Sequence, residues 1–339
     1  MKRVRIVAPE RIVVEDVEVP RIGDGDVLVA TKYCGICGSE IHAYLGRHPF
    51  TTLPIVPGHE CSGVVADVGK DVSGLSVGQR VTVIPQITCG RCYNCRIGRY
   101  NICKDLKVMG FQADGVLAEY FAVKPKCVVP LLEGISLTEA TLIEPFAVAV
   151  HAVRKSGIEI GSRVAILGAG TIGLSVLQCA RLAGASDVVV TDIYDHRLRL
   201  ARGLGADHAI NVRTTDPIEF VRESFGAEGI DLVFECVGVE ATVNQAIQMA
   251  RKGTRVMVIG VFERDVPVKI GLVQDRELEL VGSLMYSRED FRDAMRMMRD
   301  GELKAEPLIS RIYGIDQADE AFKFAVAEKG RAVKVLVSV

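Results

Sequence analysis

The pattern of apolar and polar positions gives the N-terminal part of the chain a character of its own. Residues 4–33 alternate apolar and polar residues in short runs that are split by Pro20, Gly23 and Gly25. Such runs predict antiparallel strands. The pattern continues beyond Glu60 in CSGVVADVG and QRVTVIP. We therefore predict a small, glycine-rich β-domain whose loops can carry functional side chains.

From residue 164 onwards, apolar strands alternate with helical patterns. The stretch VAILGAGTIGLSVLQCARLAGASDVVVTD runs from a buried strand through glycines into a helix and then a second strand. Strands are predicted at 164–168, 188–191, 208–212, 230–236, 255–260 and 278–282, with helical stretches such as 195–204 and 240–250 between them. A full Rossmann sheet needs this number of strands.

The glycines of this region form a phosphate-binding pattern. Gly168, Gly170 and Gly173 spell GxGxxG between strand and helix, and Asp192 ends the next strand. Glycines at these places allow a tight turn and close approach of a pyrophosphate, and the helix N-terminus receives the phosphates. Asp192 would accept hydrogen bonds from the ribose of NAD and repel the 2′-phosphate of NADP. The pattern therefore predicts NAD binding.

The stretch from Cys34 to Glu60 contains possible metal ligands. Its glycines and prolines predict turns instead of a helix. Cys37, His59 and Glu60 offer a thiolate, an imidazole and a carboxylate, which are the ligand types of an open catalytic zinc site. Taken alone, the same residues also allow a redox-active CxxC pair of Cys34 with Cys37, and a structural role for the histidine.

Residues 89–103, CGRCYNCRIGRYNIC, carry cysteines at spacings x2, x2 and x7. The cysteines are Cys89, Cys92, Cys95 and Cys103. Four thiolates around one ion close a tetrahedral zinc shell, which makes a structural site. An iron–sulfur cluster uses similar runs, but the x7 gap and the missing proline do not match the bacterial ferredoxin spacing.

Composition narrows the function classes. A length of 339 residues favours about two domains, and 49% hydrophobic with 25% charged residues is typical of a globular protein. A net charge of -2 without a basic run gives no sign of nucleic-acid binding. The apolar runs are too short to cross a membrane, and the N-terminus has no continuous signal-peptide core. We expect a cytoplasmic protein, in which the 10 cysteines serve as metal ligands or buried hydrophobes.

The C-terminal stretch changes character once more. SREDFRDAMRMMRDG predicts an amphipathic helix with Ser287 as its N-cap, and QADEAFKFAVAE and AVKVLVSV predict a further helix and a last strand. These residues are too few for a domain of their own. We expect three segments, namely a zinc-binding β-rich domain in 1–146, an NAD-binding domain in 147–285, and a return to the first domain in 286–339.

Together these motifs resemble the zinc-dependent medium-chain dehydrogenase/reductase family. The resemblance rests on GICGSEIH and GHE, the CxxCxxCx7C lobe, IEPFAVAVHA, GAGTIG with Asp192, and the C-terminal return. The pattern is most similar to the sorbitol, threonine and butanediol dehydrogenases. It implies an α/β protein with a GroES-like β-rich catalytic domain and a Rossmann domain. It also implies two zinc ions per chain, NAD, and a homotetramer or homodimer.

The resemblance assigns roles at the catalytic centre. The residues that fall on the catalytic zinc ligands are Cys37, His59 and Glu60. Glu144, which local sequence also explains as an acid in the first turn of a helix, falls on a carboxylate that binds zinc directly or through water. Ser39 falls on the hydroxyl that touches the alcohol, and His42 on the end of a proton relay.

Further roles concern the cofactor and the pocket. The implied cofactor contacts are Gly168, Gly170, Ile172, Gly173, Asp192, Arg197, Ile259, Val261, Ser283 and Met285. Tyr44 and Phe111 are expected to form pocket walls. The chain departs from the family at two positions: Glu40 replaces an aspartate that orients the zinc-bound histidine, and Met285 replaces a substrate-binding arginine of sorbitol and threonine dehydrogenases.

The implied reaction is interconversion of a secondary alcohol of a polyol, cyclitol or sugar acid and its ketone with NAD. A carboxylate-rich zinc shell favours a substrate with two adjacent oxygens. Alternatives within the family are 2,3-butanediol and L-threonine dehydrogenases. Alternatives of other classes are a non-catalytic zinc-binding regulatory protein on the same fold, and a zinc-free reductase of quinones or enones, whose relatives lack this ligand set.

Overall fold

A computed structural model describes residues 1–226 and 228–339 of the chain. It separates two units, Met1–Glu144 with Ser287–Val339, and Pro145–Tyr286. The first unit therefore contains both ends of the chain. The sequence analysis placed the corresponding boundaries after residues 146 and 285.

Short strands dominate the N-terminal part of the first unit. In chain order they are β1 Lys2–Ala8, β2 Arg11–Asp16, β3 Val27–Ile36, β4 Glu60–Val68, β5 Arg80–Val83, β6 Gln86–Ile87, β7 Lys107–Val108, β8 Tyr120–Val123 and β9 Val128–Pro130. The helices of this part are α1 Gly38–Tyr44, α2 Tyr93–Arg96, α3 Leu137–Ala140 and α4 Ile143–Ser156. Helix α4 begins at the end of the first unit and continues into the second.

Strands and helices alternate in the second unit. Its strands are β10 Arg163–Leu167, β11 Asp187–Asp192, β12 His208–Asn211, β13 Ile230–Glu235, β14 Ala250–Val258 and β15 Glu279–Gly282. Its helices are α5 Thr171–Leu182, α6 Asp195–Gly203, α7 Pro217–Phe225, α8 Glu240–Met249 and α9 Ile270–Asp275. The chain then returns to the first unit through α10 Arg288–Arg299, β16 Ile309–Gly314, α11 Ala318–Ala327 and β17 Lys334–Ser338.

One sheet of the first unit joins strands from both ends of the chain. Its order is β16-β17-β3-β4-β5-β9, and β8 also pairs with β3. Strand β3 runs antiparallel to β4 with Gly35 opposite Glu60. Strand β17 runs antiparallel to β3 with Val335 opposite Ile36. The C-terminal return thus adds its strands next to the segment that carries the candidate metal ligands.

The prediction of turns throughout residues 34–60 is wrong for α1. The helix spans Gly38–Tyr44 and buries Glu40, Ala43 and Tyr44. The Glu40 carboxylate accepts a hydrogen bond of 2.9 Å from the backbone N–H of Cys37 and thereby caps the helix. Capping and burial outweigh the low helix propensity of a glycine at the first position.

The second unit has the predicted parallel sheet. Its strand order is β12-β11-β10-β13-β14-β15, and each neighbouring pair is parallel. Numbered from β10, this is the doubly wound order 3-2-1-4-5-6. The central strands are fully buried, as Val188, Val189 and Val190 illustrate. In the part of the chain that the structure describes, none of the helices is long and apolar enough to span a membrane.

Candidate active site

The pairing of β3 with β4 brings three candidate metal ligands together. Cys37 follows β3, and His59 and Glu60 stand at the start of β4. Their ligand atoms all lie within 4.8 Å of one another. His59 and Glu60 are buried, with relative exposures of 5% and 1%. A sulfur, a ring nitrogen and a carboxylate oxygen at this spacing fit a zinc ion that keeps a position for a further ligand.

Glycine at position 35 leaves room for the Glu60 carboxylate. A side chain on Gly35 would collide with the carboxylate and would approach the Glu60 Cβ to 3.3 Å. Gly58, just before His59, has a φ of +104° and stands against the backbone of Leu117. Both glycines are therefore required by the packing of the centre.

Glu40 contacts His59, as the aspartate that it replaces does in the family. Its Oε1 lies 3.1 Å from Nδ1 of His59 and accepts a 2.6 Å hydrogen bond from the N–H of Gly58. Burial raises the pKa of Glu40. The charge of His59 and the hydrogen bonds to the carboxylate lower this pKa by a larger amount, so the net pKa lies below its usual value. With Nδ1 engaged, Nε2 of His59 is available to bind a metal.

The sequence analysis missed Lys334, a buried cation beside the centre. Its Nζ lies 2.8 and 2.5 Å from the two carboxylate oxygens of Glu60 and 3.2 Å from the carbonyl of Ile36. Burial lowers the pKa of Lys334, but the charges of Glu60 and Cys37 raise it above its ordinary value. The available signal was a single charge inside the otherwise apolar strand AVKVLVSV.

The other predicted catalytic residues lie on the neighbouring helices. Ser39 and His42 are on α1 and are partly buried. Glu144 is buried in the first turn of α4. Among the residues that the structure describes, the group of close ligand atoms at this centre comprises Cys37, His59 and Glu60, without Glu144. Direct binding of zinc by Glu144 remains a prediction.

Of the two predicted pocket walls, Tyr44 and Phe111, the structure places only Phe111 beside the centre. The Phe111 ring packs against His59 with centroids 5.1 Å apart. Tyr44 is 3% exposed, its ring packs on Phe322 of α11 at 5.4 Å, and its hydroxyl donates to the carbonyl of Glu10. This packing places Tyr44 in the core, and its role as a pocket wall remains a prediction.

The position of Cys34 argues against a redox-active pair of Cys34 with Cys37. Cys34 lies in β3 directly opposite Cys61 of β4, and both are 1% exposed. Burial raises the pKa of the Cys34 thiol well above its usual value, which disfavours the reactive thiolate.

The cysteines of residues 89–103 converge as a second group of candidate metal ligands. The sulfurs of Cys89 and Cys103 are 3.5 Å apart, and those of Cys92 and Cys103 are 3.9 Å apart. Sulfurs at about 2.3 Å from a tetrahedral zinc ion are about 3.8 Å from each other. The spacing therefore fits a closed zinc shell.

The backbone around this cluster favours thiolate. N–H groups of Lys104 and Cys95 lower the pKa of Cys92 to about 6. The pKa of Cys95 is raised to about 12 by burial and by hydrogen bonds with the other thiols. The lowered pKa of Cys92 favours the thiolate form, which is the form that binds a metal ion.

In the second unit, the glycine-rich turn connects β10 to α5. Gly168 has a φ of +99°, and a side chain there would meet Val237. A side chain on Gly173 would collide with the carbonyl of Gly168. Gly170 is the N-cap of α5. The glycines thus form the tight turn and the helix N-terminus that a dinucleotide phosphate requires.

Asp192 connects this turn to the end of β11. Its Oδ2 accepts a 2.7 Å hydrogen bond from the N–H of Ala169, and its Oδ1 accepts from the N–H groups of Ile193 and Tyr194. Nη1 of Arg197 lies 3.9 Å from Oδ2. The carboxylate is thus fixed at the carboxyl end of its strand.

The remaining predicted cofactor residues follow strand ends on the same edge of the sheet. Ile259 and Val261 follow β14, Ser283 and Met285 follow β15, and Ile172 lies at the start of α5. In a parallel sheet all carboxyl ends share one edge, which is where ligands bind in such folds.

Tyr194 and Arg213 are additional side chains near Asp192 that the sequence analysis did not identify. The guanidinium carbons of Arg197 and Arg213 lie 5.3 and 5.5 Å from the Tyr194 ring centroid. Arg213 follows β12, and only the strand order brings it beside the loop after β11.

Comparison with protein families gives matches in both units. Residues 23–133 match the family described as alcohol dehydrogenase GroES-like domain. Residues 171–300 match the family described as zinc-binding dehydrogenase. The first of these matches includes both ligand groups, Cys37–Glu60 and Cys89–Cys103.

Individual proteins resemble the chain along nearly its whole length. Sorbitol dehydrogenase of Bacillus subtilis is 32% identical over 96% of this chain and 94% of that protein. L-idonate 5-dehydrogenase of Vitis vinifera is 34% identical over 95% of this chain and 90% of that protein. A zinc-binding dehydrogenase of Sinorhizobium meliloti 1021, solved with NADP, is 34% identical and superimposes with a TM-score of 0.91, covering 100% of this chain and 99% of that chain.

Proposed function

The chain belongs to the zinc-dependent medium-chain dehydrogenase family, in its sorbitol-dehydrogenase-like branch, and we propose that it oxidises a secondary alcohol of a polyol, cyclitol or sugar acid with NAD. The observation that carries this proposal is the convergence of Cys37, His59 and Glu60 within 4.8 Å. A ligand set with one free position suits a site where substrate binds to the metal.

Each part of the centre has a defined task in this proposal. Bound zinc would lower the pKa of the substrate hydroxyl, and bound NAD would accept the hydride. Glu40 fixes the ring of His59 by its contact at Nδ1. Lys334 balances the charge of Glu60. Ser39 would accept the hydroxyl proton while its own proton moves on towards His42, which would release a proton to solvent.

NAD is proposed over NADP because of Asp192. Its carboxylate is fixed by three backbone N–H groups at the end of β11. A fixed negative charge there accepts hydrogen bonds from ribose hydroxyls and repels a 2′-phosphate. Arg197 and Arg213 around Tyr194 oppose this preference in part, so we expect a preference for NAD instead of absolute selectivity.

Two zinc ions per chain are proposed from the two ligand groups. The cysteine cluster offers four sulfurs, which would fill a tetrahedral shell, whereas Cys37, His59 and Glu60 offer three ligand atoms. A closed shell releases its ion more slowly than an open one. We expect a chelator to remove the ion at Cys37 first and to abolish activity before the fold is lost.

The carboxylate of Glu60 is the basis for the substrate class that we propose. An oxygen-containing shell favours further oxygen ligands, and a polyol or sugar acid offers two adjacent ones. A simple primary alcohol offers one oxygen and leaves buried polar groups unpaired, at about 1–3 kcal/mol each. The relatives named for sorbitol and L-idonate point to the same classes of compound.

A substrate screen tests the proposal. The zinc-loaded enzyme would be assayed for NADH formation with sorbitol, xylitol, myo-inositol, L-idonate, 2,3-butanediol, L-threonine and ethanol. We expect at least one polyol, cyclitol or sugar acid to exceed ethanol in kcat/KM by about tenfold or more, the factor that corresponds to about 1.4 kcal/mol. Ethanol turnover equal to or above that of every such compound would refute the substrate class.

A further inference from the structure

The loop after α1 places a histidine beside the candidate metal centre that neither the ligand set nor the proton relay uses. The ring of His48 stacks on Phe111, with centroids 4.8 Å apart and 20° between the ring planes. Phe111 in turn packs against His59 with centroids 5.1 Å apart. His48 is therefore separated from a proposed zinc ligand by a single aromatic ring.

A hydrogen bond joins the two loops that form this stack. The side-chain N–H of Gln112 donates to the carbonyl of Phe50 at 2.8 Å. The side-chain oxygen of Gln112 accepts from the N–H of Val108 at 3.0 Å. The loop that carries His48 is thus tied to the turn that carries Phe111, so the position of the His48 ring is set by the fold.

The hydrogen bonds of His48 define which ring nitrogen carries the proton. The backbone N–H of Phe50 lies 3.2 Å from Nδ1. A backbone amide can only donate, so Nδ1 is unprotonated. The hydroxyl of Thr51, 2.8 Å from the same nitrogen, must then donate as well. The neutral ring consequently carries its proton on Nε2.

The Nε2–H group of His48 is available to donate a hydrogen bond to a ligand. In the part of the chain that the structure describes, the hydrogen bonds of His48 are those at Nδ1. Burial lowers the pKa of His48 below its ordinary value, which favours the neutral ring. A neutral N–H donor recognises a hydroxyl or carboxylate oxygen without adding charge to the centre.

We propose that His48 is a specificity-determining residue whose Nε2–H donates a hydrogen bond to a substrate oxygen other than the reacting hydroxyl. This inference rests on the proposed polyol or sugar-acid dehydrogenase function. A monohydric alcohol has no second oxygen and leaves the donor unpaired.

Three variants test this assignment. His48→Phe keeps an aromatic ring for the stack on Phe111 and removes the donor. His48→Gln places an amide N–H near the position of Nε2, whereas His48→Asn places it near Nδ1. For each protein, kcat/KM with NAD would be measured for sorbitol, xylitol, L-idonate and 2-butanol. Zinc content and the thermal midpoint would show that the centre and the fold are retained.

We expect His48→Phe to reduce the ratio of kcat/KM for the best polyhydroxy substrate over 2-butanol by about fivefold to tenfold, the effect of one neutral hydrogen bond. His48→Gln should reduce this ratio less than His48→Asn does. Turnover of 2-butanol should change by less than about twofold, since its single oxygen makes no use of the donor.

The outcomes separate this inference from the function on which it rests. If the wild type discriminates but every variant keeps the wild-type ratio, the assignment of His48 is wrong and the proposed function stands. Equal losses on 2-butanol and the polyhydroxy substrate would show a structural role and would also overturn the assignment. A wild type without preference over 2-butanol refutes the proposed function and the role of His48 together.

Discussion

Lys334→Met tests the charge balance at the proposed zinc centre. The ammonium group lies 2.8 and 2.5 Å from the oxygens of Glu60, and both side chains are 1–2% exposed. The substitution keeps an unbranched side chain of similar length and removes its charge. Glu60 then remains as a buried carboxylate without its cation in the zinc-free protein.

The expected loss is large because the pair is buried. At 2.8 Å, the attraction between unit charges is about 6 kcal/mol with an effective dielectric constant of about 20. Desolvation of both groups offsets much of this gain, but removal of one partner of a buried pair costs about 3–5 kcal/mol. We expect the zinc-free variant to lose about this free energy of unfolding.

Bound zinc should reduce the loss of unfolding free energy, because its positive charge balances the negative charge of Glu60 in place of Lys334. The variant should therefore bind zinc more tightly than the wild type, by about tenfold for each 1.4 kcal/mol of recovered stability. The raised pKa of Lys334 gives the sign of the pH dependence. Its stabilisation is complete below the pKa of an unfolded lysine, about 10.4, and is lost as pH rises through the folded value.

Urea denaturation followed by circular dichroism, with and without zinc, measures both effects. Lys32→Met removes an exposed lysine of β3 and is the matched control, for which we expect a change below about 0.5 kcal/mol. Adding Glu60→Gln to Lys334→Met should recover part of the loss in the zinc-free protein. A zinc-free Lys334→Met protein within about 1 kcal/mol of the wild type would refute the reasoning.

Three further predictions concern single residues. Asp192→Ala should narrow the preference for NAD over NADP in kcat/KM, because it removes the charge that repels a 2′-phosphate; an unchanged ratio would show that Asp192 does not set the preference. Glu40→Gln should weaken zinc binding about 10- to 100-fold in competition with a chelator, since the contact that orients His59 loses its charge; equal affinity would contradict this role. In the metal-free protein at pH 7, iodoacetamide should modify Cys92, whose pKa is about 6, long before Cys61, whose pKa burial raises to about 12. Peptide mapping that finds both modified at similar rates would count against the thiolate cluster.

The sequence predicted the fold where its signals are local. The apolar run before Gly168 and the run Val188–Val190 are long enough to mark buried parallel strands. The glycines and Asp192 mark the turn and strand end between them. The parallel sheet and the placement of Asp192 beside the turn could therefore be expected from the residues alone.

The features that the sequence analysis missed depend on contacts between distant residues. Lys334 meets Glu60 across 274 positions, and only the pairing of β17 with β3 brings them together. Helix α1 forms because Glu40 caps it and is buried with it, although Gly38 argues against a helix. Tyr44 lies one turn from the centre but faces α11, an element whose position local patterns do not reveal.

The central claim is that Cys37, His59 and Glu60 bind the zinc ion on which alcohol oxidation depends. The most direct measurement is zinc content together with NADH formation for Cys37→Ser, with Cys89→Ser in parallel to report on the cysteine cluster. We predict that Cys37→Ser retains about one zinc per chain, stays folded and loses oxidation of every polyol and sugar acid that the wild type accepts. Retention of two zinc ions with wild-type activity in Cys37→Ser would contradict the account.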